Sequence, residues 1–209
     1  MKTAERILLT SLALFNQHGE ANVSCVDIAV ELDISPGNLY YHYKGKEVIV
    51  HALFDMFKER VTKLLNSTNH AELTVEEFFY FQLMLLESVH LFRFFYHNPA
   101  DLLDKYPSIS RGFKQVLLNK EACFRSLFES YVKQGKMKLS QSQIEQIVYL
   151  SSMLFTSAHN YSLLKGEDVN SEAYLFHILG NSLFMLKPYM QIEDGVLEHL
   201  RQDIENQTL

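Results

Sequence analysis

An all-α fold is what this sequence predicts, and three observations carry the prediction. Apolar residues recur at helical spacing along most of the chain. Start and stop signals punctuate those runs: a Ser-x-x-Asp box, prolines in first helical turns, and glycine or Asn-Pro beyond the last apolar residue. No segment alternates apolar and polar residues as a half-buried strand would, and there are no internal repeats or low-complexity runs.

The first helix is expected over about residues 4–17, where Ile7, Leu8, Leu12, Leu14 and Phe15 recur and His18-Gly19 ends the run. Ser24-Cys25-Val26-Asp27 then has the capping-box pattern and opens a short second helix. Ile28 and Leu32 share a side of it, and Ala29 is small enough to let another helix cross closely. Asp33 and Ile34 make a turn, and a third helix begins at once. Ser35 is a good N-cap and Pro36 suits the first turn, where a missing N–H costs nothing. Gly37 and Asn38 keep that end slim, so it can approach another surface. Tyr40, Tyr41 and His42 add polar tips on flat bodies, and Lys44 and Lys46 flank Gly45. A helix this poor in aliphatic residues is not a core element, and its surface suits a polyanion. Two short helices joined by a tight turn form a helix-turn-helix, whose second helix enters the DNA major groove.

These residues resemble the TetR family of bacterial transcriptional repressors. The resemblance rests on a first helix ending near Phe15 and Gly19, on Ile28-Ala29, and on Leu39-Tyr40-x-His42-Tyr43-x-x-Lys46-Glu47, and it covers about residues 3–60. It implies an all-helical homodimer, with an N-terminal helix-turn-helix domain binding palindromic operators and a C-terminal domain binding a small-molecule inducer. The implied division is 1–48 for DNA binding and 49–209 for regulation and dimerisation. Position by position, the resemblance places Ser35, Pro36, Gly37, Asn38, Tyr40, Tyr41 and His42 at the groove and backbone. Asn38 offers an amide to a base edge, while Tyr40 and His42 donate to phosphate. Lys46 and Ser24 are read as phosphate contacts, and Tyr43 as a packing residue.

Two departures stand out. The family usually carries glycine where this chain has Asp33, and aspartate tolerates a left-handed turn better than most residues. Residues 1–50 hold four basic against six acidic side chains, a net charge of −2. Many DNA-binding domains are plainly basic, so affinity here is expected to need a local patch, helix N-termini, neutral donors and the dimer, and to fall quickly with salt.

The whole chain has 209 residues, 47% of them hydrophobic, and a net charge of −6, which indicates a globular protein of one or two helical domains. No stretch reads as a membrane span, and Met1 to Arg6 lacks a signal pattern, so the cytoplasm is the expected location. Cys25 and Cys123 form no framework or metal spacing. Cys25, at a helix N-terminus, is either a small packing residue or a redox-sensitive thiol.

Further on, residues 45–66 read as a connecting helix spanning roughly 30 Å, a lever between regulatory and DNA-binding parts. Asn66 to His70 is a polar loop. A helix that is hydrophobic almost all round is expected from about Val75 to His97, ended by Asn98-Pro99. Further helices follow at about 101–105, 109–134, 142–164 and 172–190, with a short terminal helix in the tail from Glu193. The 142–164 and 172–190 pair carries small residues, and the resemblance makes it the dimer's four-helix interface; an intramolecular hairpin reads equally well.

Polar residues in apolar surroundings are the candidates for an effector: Gln82, His90 and Arg93 on the central helix, and His159 with Asn160 and Tyr161 later. Arg93 meets either an anionic ligand or Asp101 or Asp104. His90 and His97 stand two turns apart, too far to share a metal. No catalytic motif, metal site or cofactor is expected. The expected partners are double-stranded DNA with an inverted repeat, a second copy of the chain, and a small apolar or amphipathic effector. Two alternatives share the fold: a regulator without an inducer, and a helical interaction protein that has lost DNA binding.

Overall fold

The computed structural model describes residues 2–66 and 73–191, and within the C-terminal stretch residues 195, 199, 200, 202–204 and 206. Its helices are α1 (Thr3–His18), α2 (Cys25–Glu31), α3 (Pro36–His42), α4 (Lys46–Asn66), α5 (Val75–Leu91), α6 (Phe94–His97), α7 (Pro99–Lys105), α8 (Pro107–Lys133), α9 (Gln141–Leu164) and α10 (Glu172–Leu186). Among the described residues there is no strand, only an isolated bridge between Met137 and Met190. The fold is therefore all-α, as its periodicity implies. The expected loop at 67–70 and most of the expected terminal helix fall outside the described residues.

The chain packs as two compact units. The first comprises residues 1–60 and 91–114, the second 61–90 and 115–209. In the first, Ile7, Leu12 and Phe15 of α1 close on Ile28 and Ala29 of α2, Leu39 of α3 and Ile49 of α4. Behind them lies an aromatic cluster centred on Phe57, whose ring centroid is 5.7 Å from Phe92, 5.8 Å from Phe95, 6.1 Å from Tyr96 and 6.2 Å from Phe54 and Phe113. Gly112 lets α8 approach this cluster. A Cβ there would stand 2.6 Å from Phe54 Cε1 and 3.0 Å from Cζ, and Phe54 is itself wedged against Phe57, Phe95 and Phe113. Gly112→Ala is accordingly expected to destabilise the protein by about 1–3 kcal/mol through overpacking, measured by urea denaturation.

The expected Val75–His97 helix is broken. α5 stops at Leu91, and α6 restarts at Phe94. The cause is Asn16 of α1, whose Nδ2 donates to the Leu91 carbonyl (2.9 Å) while its Oδ1 accepts from the Phe94 N–H (3.1 Å). A side chain inserted into the backbone ladder interrupts a helix, and this one comes from 75 residues away. Phe92, Phe94, Phe95 and Tyr96 thereby become core of the first unit.

In the second unit, Phe78, Phe81 and Leu85 of α5 are buried with Phe124, Leu127, Phe128 and Tyr131 of α8, Ile144, Val148 and Phe155 of α9, and Ile178 and Leu183 of α10. The Tyr131 hydroxyl lies within bonding distance of the Leu73 and Thr74 carbonyls, and Ser140 with Gln143 forms a capping box for α9. α9 and α10 leave large apolar side chains in solvent. Phe184 is 81% and Leu164 89% exposed, and Leu150, Met153, Tyr161, Ile178 and Met185 line an open groove of about 440 Å³.

Candidate nucleic-acid interface

The helix-turn-helix is built by local backbone chemistry. Ser24 Oγ accepts from the Asp27 N–H (3.2 Å) and Asp27 Oδ2 accepts from the Ser24 N–H (2.7 Å), the reciprocal box that starts α2. Hydrogen bonds from the Ser24 backbone and then from its hydroxyl hold the Asp27 carboxyl below its ordinary value. α2 ends in a Schellman turn: Ile34 N–H donates to Ala29 O and Asp33 N–H to Val30 O, both at 3.0 Å. Asp33 sits at φ 53°, the left-handed position expected for it. α8 and α9 end with the same bonding pattern, but at Gly135 and Gly166.

Ser35 then caps α3, its hydroxyl accepting from the Asn38 N–H at 3.1 Å, with Pro36 in the first turn. Only Leu39 of this helix is buried. Asn38, Tyr40 (56% exposed), Tyr41 (77%) and His42 all face solvent, as do Ser24, Ser35, Pro36 and Gly37. Lys44 Nζ stands 5.1 Å from the Tyr40 ring centroid, and Tyr41 meets His42 edge-on at 5.3 Å. Gly37 adopts ordinary helical geometry, and a Cβ added to it would meet nothing closer than 3.9 Å. The fold thus makes no demand for glycine there, although glycine weakens a helix.

Tyr43 packs, as its position implies: half-buried, it donates from its hydroxyl to Ala4 O at 3.3 Å. Lys46, expected at phosphate, is also bonded within the protein. Its ammonium donates to Glu20 O, Val23 O and the Glu20 carboxylate, each at 2.9 Å, which engages all three N–H groups inside the protein. Lys44, just past the end of α3, is exposed. Glu20 was legible only as one more acid, yet it is 7% exposed and also accepts from Lys105 (3.0 Å) and the Tyr106 hydroxyl (2.6 Å). Burial alone would push its carboxyl up, but the bonds from Tyr106, Lys46 and Lys105 outweigh that and hold it down. Cys25 is half-buried and its thiol is pushed up by burial, against a weaker pull from Lys46.

The effector candidates do not converge. Gln82 is buried in the second unit, where Ser182 donates to its Oε1 and its Nε2 has no partner among the described residues. His90, His159 and Tyr174 gather separately, with ring centroids 6.1–6.5 Å apart. Asn160 is half-buried on α9 beyond that ring cluster. Arg93 belongs to the first unit because of the break before α6, and burial holds its guanidinium below the ordinary value. Burial first, and then the charge of Arg93, depresses His97. Among the described residues, no group of three His, Cys, Asp or Glu side chains is placed to hold a metal ion. No described helix is long and apolar enough to cross a membrane.

Fold and surface together define a DNA-binding helix-turn-helix domain carried on an otherwise helical regulator. Residues 7–53 match the family described as bacterial regulatory proteins, tetR family, and residues 56–194 match TetR, bacterial transcriptional repressor. The chain belongs to the TetR family of transcriptional regulators. Among solved structures it is similar to a TetR-family transcriptional regulator from Marinobacter aquaeolei VT8, at 24% identity over 98% of this chain and 99% of that one, with a TM-score of 0.84. It is also similar to CprB from S. coelicolor A3(2), at 12% identity over 99% and 98% of the two chains (TM-score 0.71). A TetR transcription regulator from Haloarcula marismortui ATCC 43049 matches at 16% identity over 90% and 98% (TM-score 0.66). At these identities the likeness is one of fold.

Proposed function

We propose that this regulator is a repressor that binds an inverted-repeat operator as a homodimer and is released by a small apolar or amphipathic effector. Residues 1–48 read the DNA, and residues 49–209 carry the dimer contact and the effector site. The observation that carries the DNA reading is α3 itself, capped at Ser35, exposing every side chain but Leu39, and slim at Gly37 where the fold does not require it. Asn38 faces base edges, and Tyr40, Tyr41, His42 and Lys44 work at bases and phosphates. The exposed apolar faces of α9 and α10 support the dimer, because Phe184 and Leu164 are costly to leave in water. Gln82, His90, Arg93, His159 and Asn160 are the effector contacts of this reading, Arg93 being grouped by packing with the DNA-binding helices.

Release works by population shift. Effector favours a dimer whose two copies of α3 no longer match successive major grooves, which lie about 34–36 Å apart. The test is selection of bound duplexes from a random DNA pool, followed by anisotropy titration of the winner across salt concentrations. Enrichment of an inverted repeat with a steep salt dependence is expected. A folded dimer that enriches no sequence would overturn the reading.

A further inference from the structure

One buried carboxylate ties the DNA-binding helices to the junction between α7 and α8. Gly19, at φ 80°, ends α1 and turns the chain so that Glu20 opens a short 3₁₀ turn with its side chain inward. Lys46, the first residue of α4, grips this turn at three points, the carbonyls of Glu20 and Val23 and the Glu20 carboxylate. From the other side, Lys105 at the end of α7 brings its Nζ to within 3.0 and 3.1 Å of the two carboxylate oxygens, and Tyr106 donates to one of them at 2.6 Å. Lys105 also lies over the Tyr106 ring at 5.3 Å. α8 begins at the next residue.

We infer that Glu20 is a positioning residue for operator binding, which seats α4 behind the recognition helix through Lys46 and makes that seating depend on the α7–α8 junction through Lys105 and Tyr106. The inference rests on the operator-binding role of α3. Its physical basis is that a buried acid is tolerable only while its donors are in place. A shift of the junction strips Tyr106 and Lys105 from the carboxylate together, because they are neighbours in sequence. Loss of the carboxylate leaves Lys46 and Lys105 as two cations around a vacant centre. Only Tyr43, Lys44 and Gly45 separate α3 from Lys46, so a change at Lys46 reaches α3 directly. A cavity of about 220 Å³ beside the carboxylate, lined by Gly19, Asn22, Phe94, His97, Asp101 and Lys105, gives α7 room to move.

The test uses the full chain and the duplex selected as above. Amide hydrogen exchange of residues 99–106 is followed with and without saturating duplex, in wild type, Glu20→Gln, Lys105→Met and Tyr106→Phe. In wild type the duplex is expected to slow exchange in this segment, and in the folded variants it is not. Operator affinity should fall about tenfold in Glu20→Gln, and adding Lys105→Met to it should cost little more, since both act through one centre. If Glu20→Gln fails to fold, Tyr106→Phe, which removes one hydroxyl, carries the same comparison. A merely structural role would lower thermal stability yet leave the duplex-induced protection unchanged, and that result overturns the inference. So does a wild type that binds duplex without any change in residues 99–106. A wild type that enriches no duplex overturns the operator-binding reading itself.

Discussion

Tyr40→Ala is expected to abolish operator binding while leaving fold and dimer intact. Tyr40 is 56% exposed and its ring lies beside Lys44, so its removal opens no buried cavity, and alanine is the better helix former. What is lost, on the proposed reading, is a donor to a charged phosphate, together with the ring over which Lys44 lies. A hydrogen bond to a charged group contributes about 1.5–3 kcal/mol. A dimer loses it at both half-sites, so affinity should fall by a factor on the order of 100 or more. Fluorescence anisotropy with the selected duplex, run beside a circular-dichroism melt, checks both halves of the expectation. Tyr43→Phe is the matched control, since it loses only the bond to Ala4 O and should cost about 1 kcal/mol of stability with little change in DNA affinity. Unchanged duplex binding in Tyr40→Ala would remove α3 from the interface.

The second large effect concerns stability. Lys120 of α8 is 3% exposed, and its Nζ donates to Ser152 O (3.2 Å) and Thr156 Oγ1 (2.8 Å). Burial pushes it down to about 7, against a small opposing pull from Glu121. As a neutral amine its two N–H groups match those two acceptors. Unfolded, it titrates near 10.4. Between about pH 7 and 10 the unfolded chain therefore holds a proton that the folded chain lacks, and stability rises with pH across that window. Below about 7 both states hold the proton and this contribution flattens at its least favourable level. The full difference is on the order of 4 kcal/mol. Lys120→Met keeps the length of the side chain and removes the charge. It should stabilise the protein most at and below neutral pH, and abolish this slope. Urea denaturation of both proteins at pH 6.5 and 9.5 measures the difference, other titrations being common to the pair. Parallel slopes would show that Lys120 keeps its proton in the fold.

What could be read in the sequence, and what could not, divides along sequence distance. The box at Ser24, the left-handed Asp33, the Ser35 cap, the stop at Gly19 and the start of α4 are set by residues within a turn of one another, so local chemistry predicts them. The break after Leu91 is made by Asn16, and no local pattern announces it. The same distance hid the internal partners of Lys46, which lie in the turn after α1, and separated Arg93 from Gln82, which a continuous helix would have aligned. Lys120 did leave a trace. It falls on the stripe Ile109, Phe113, Val116, Phe124, Leu127, Tyr131, whose members are all buried, so helical spacing alone places it inward.

The Asn16 splice also separates two phases. In an unbroken helix each residue advances the side-chain direction by about 100°. One residue inserted into a continuous stretch ahead of Phe92 would swing Phe94, Phe95 and Tyr96 out of the first unit's core. With the ladder interrupted between Leu91 and Phe94 and both ends held by one amide of α1, the point where α6 begins is fixed from within the first unit. The aromatic face of α6 is therefore set by a contact inside the first unit rather than by the helical phase of α5.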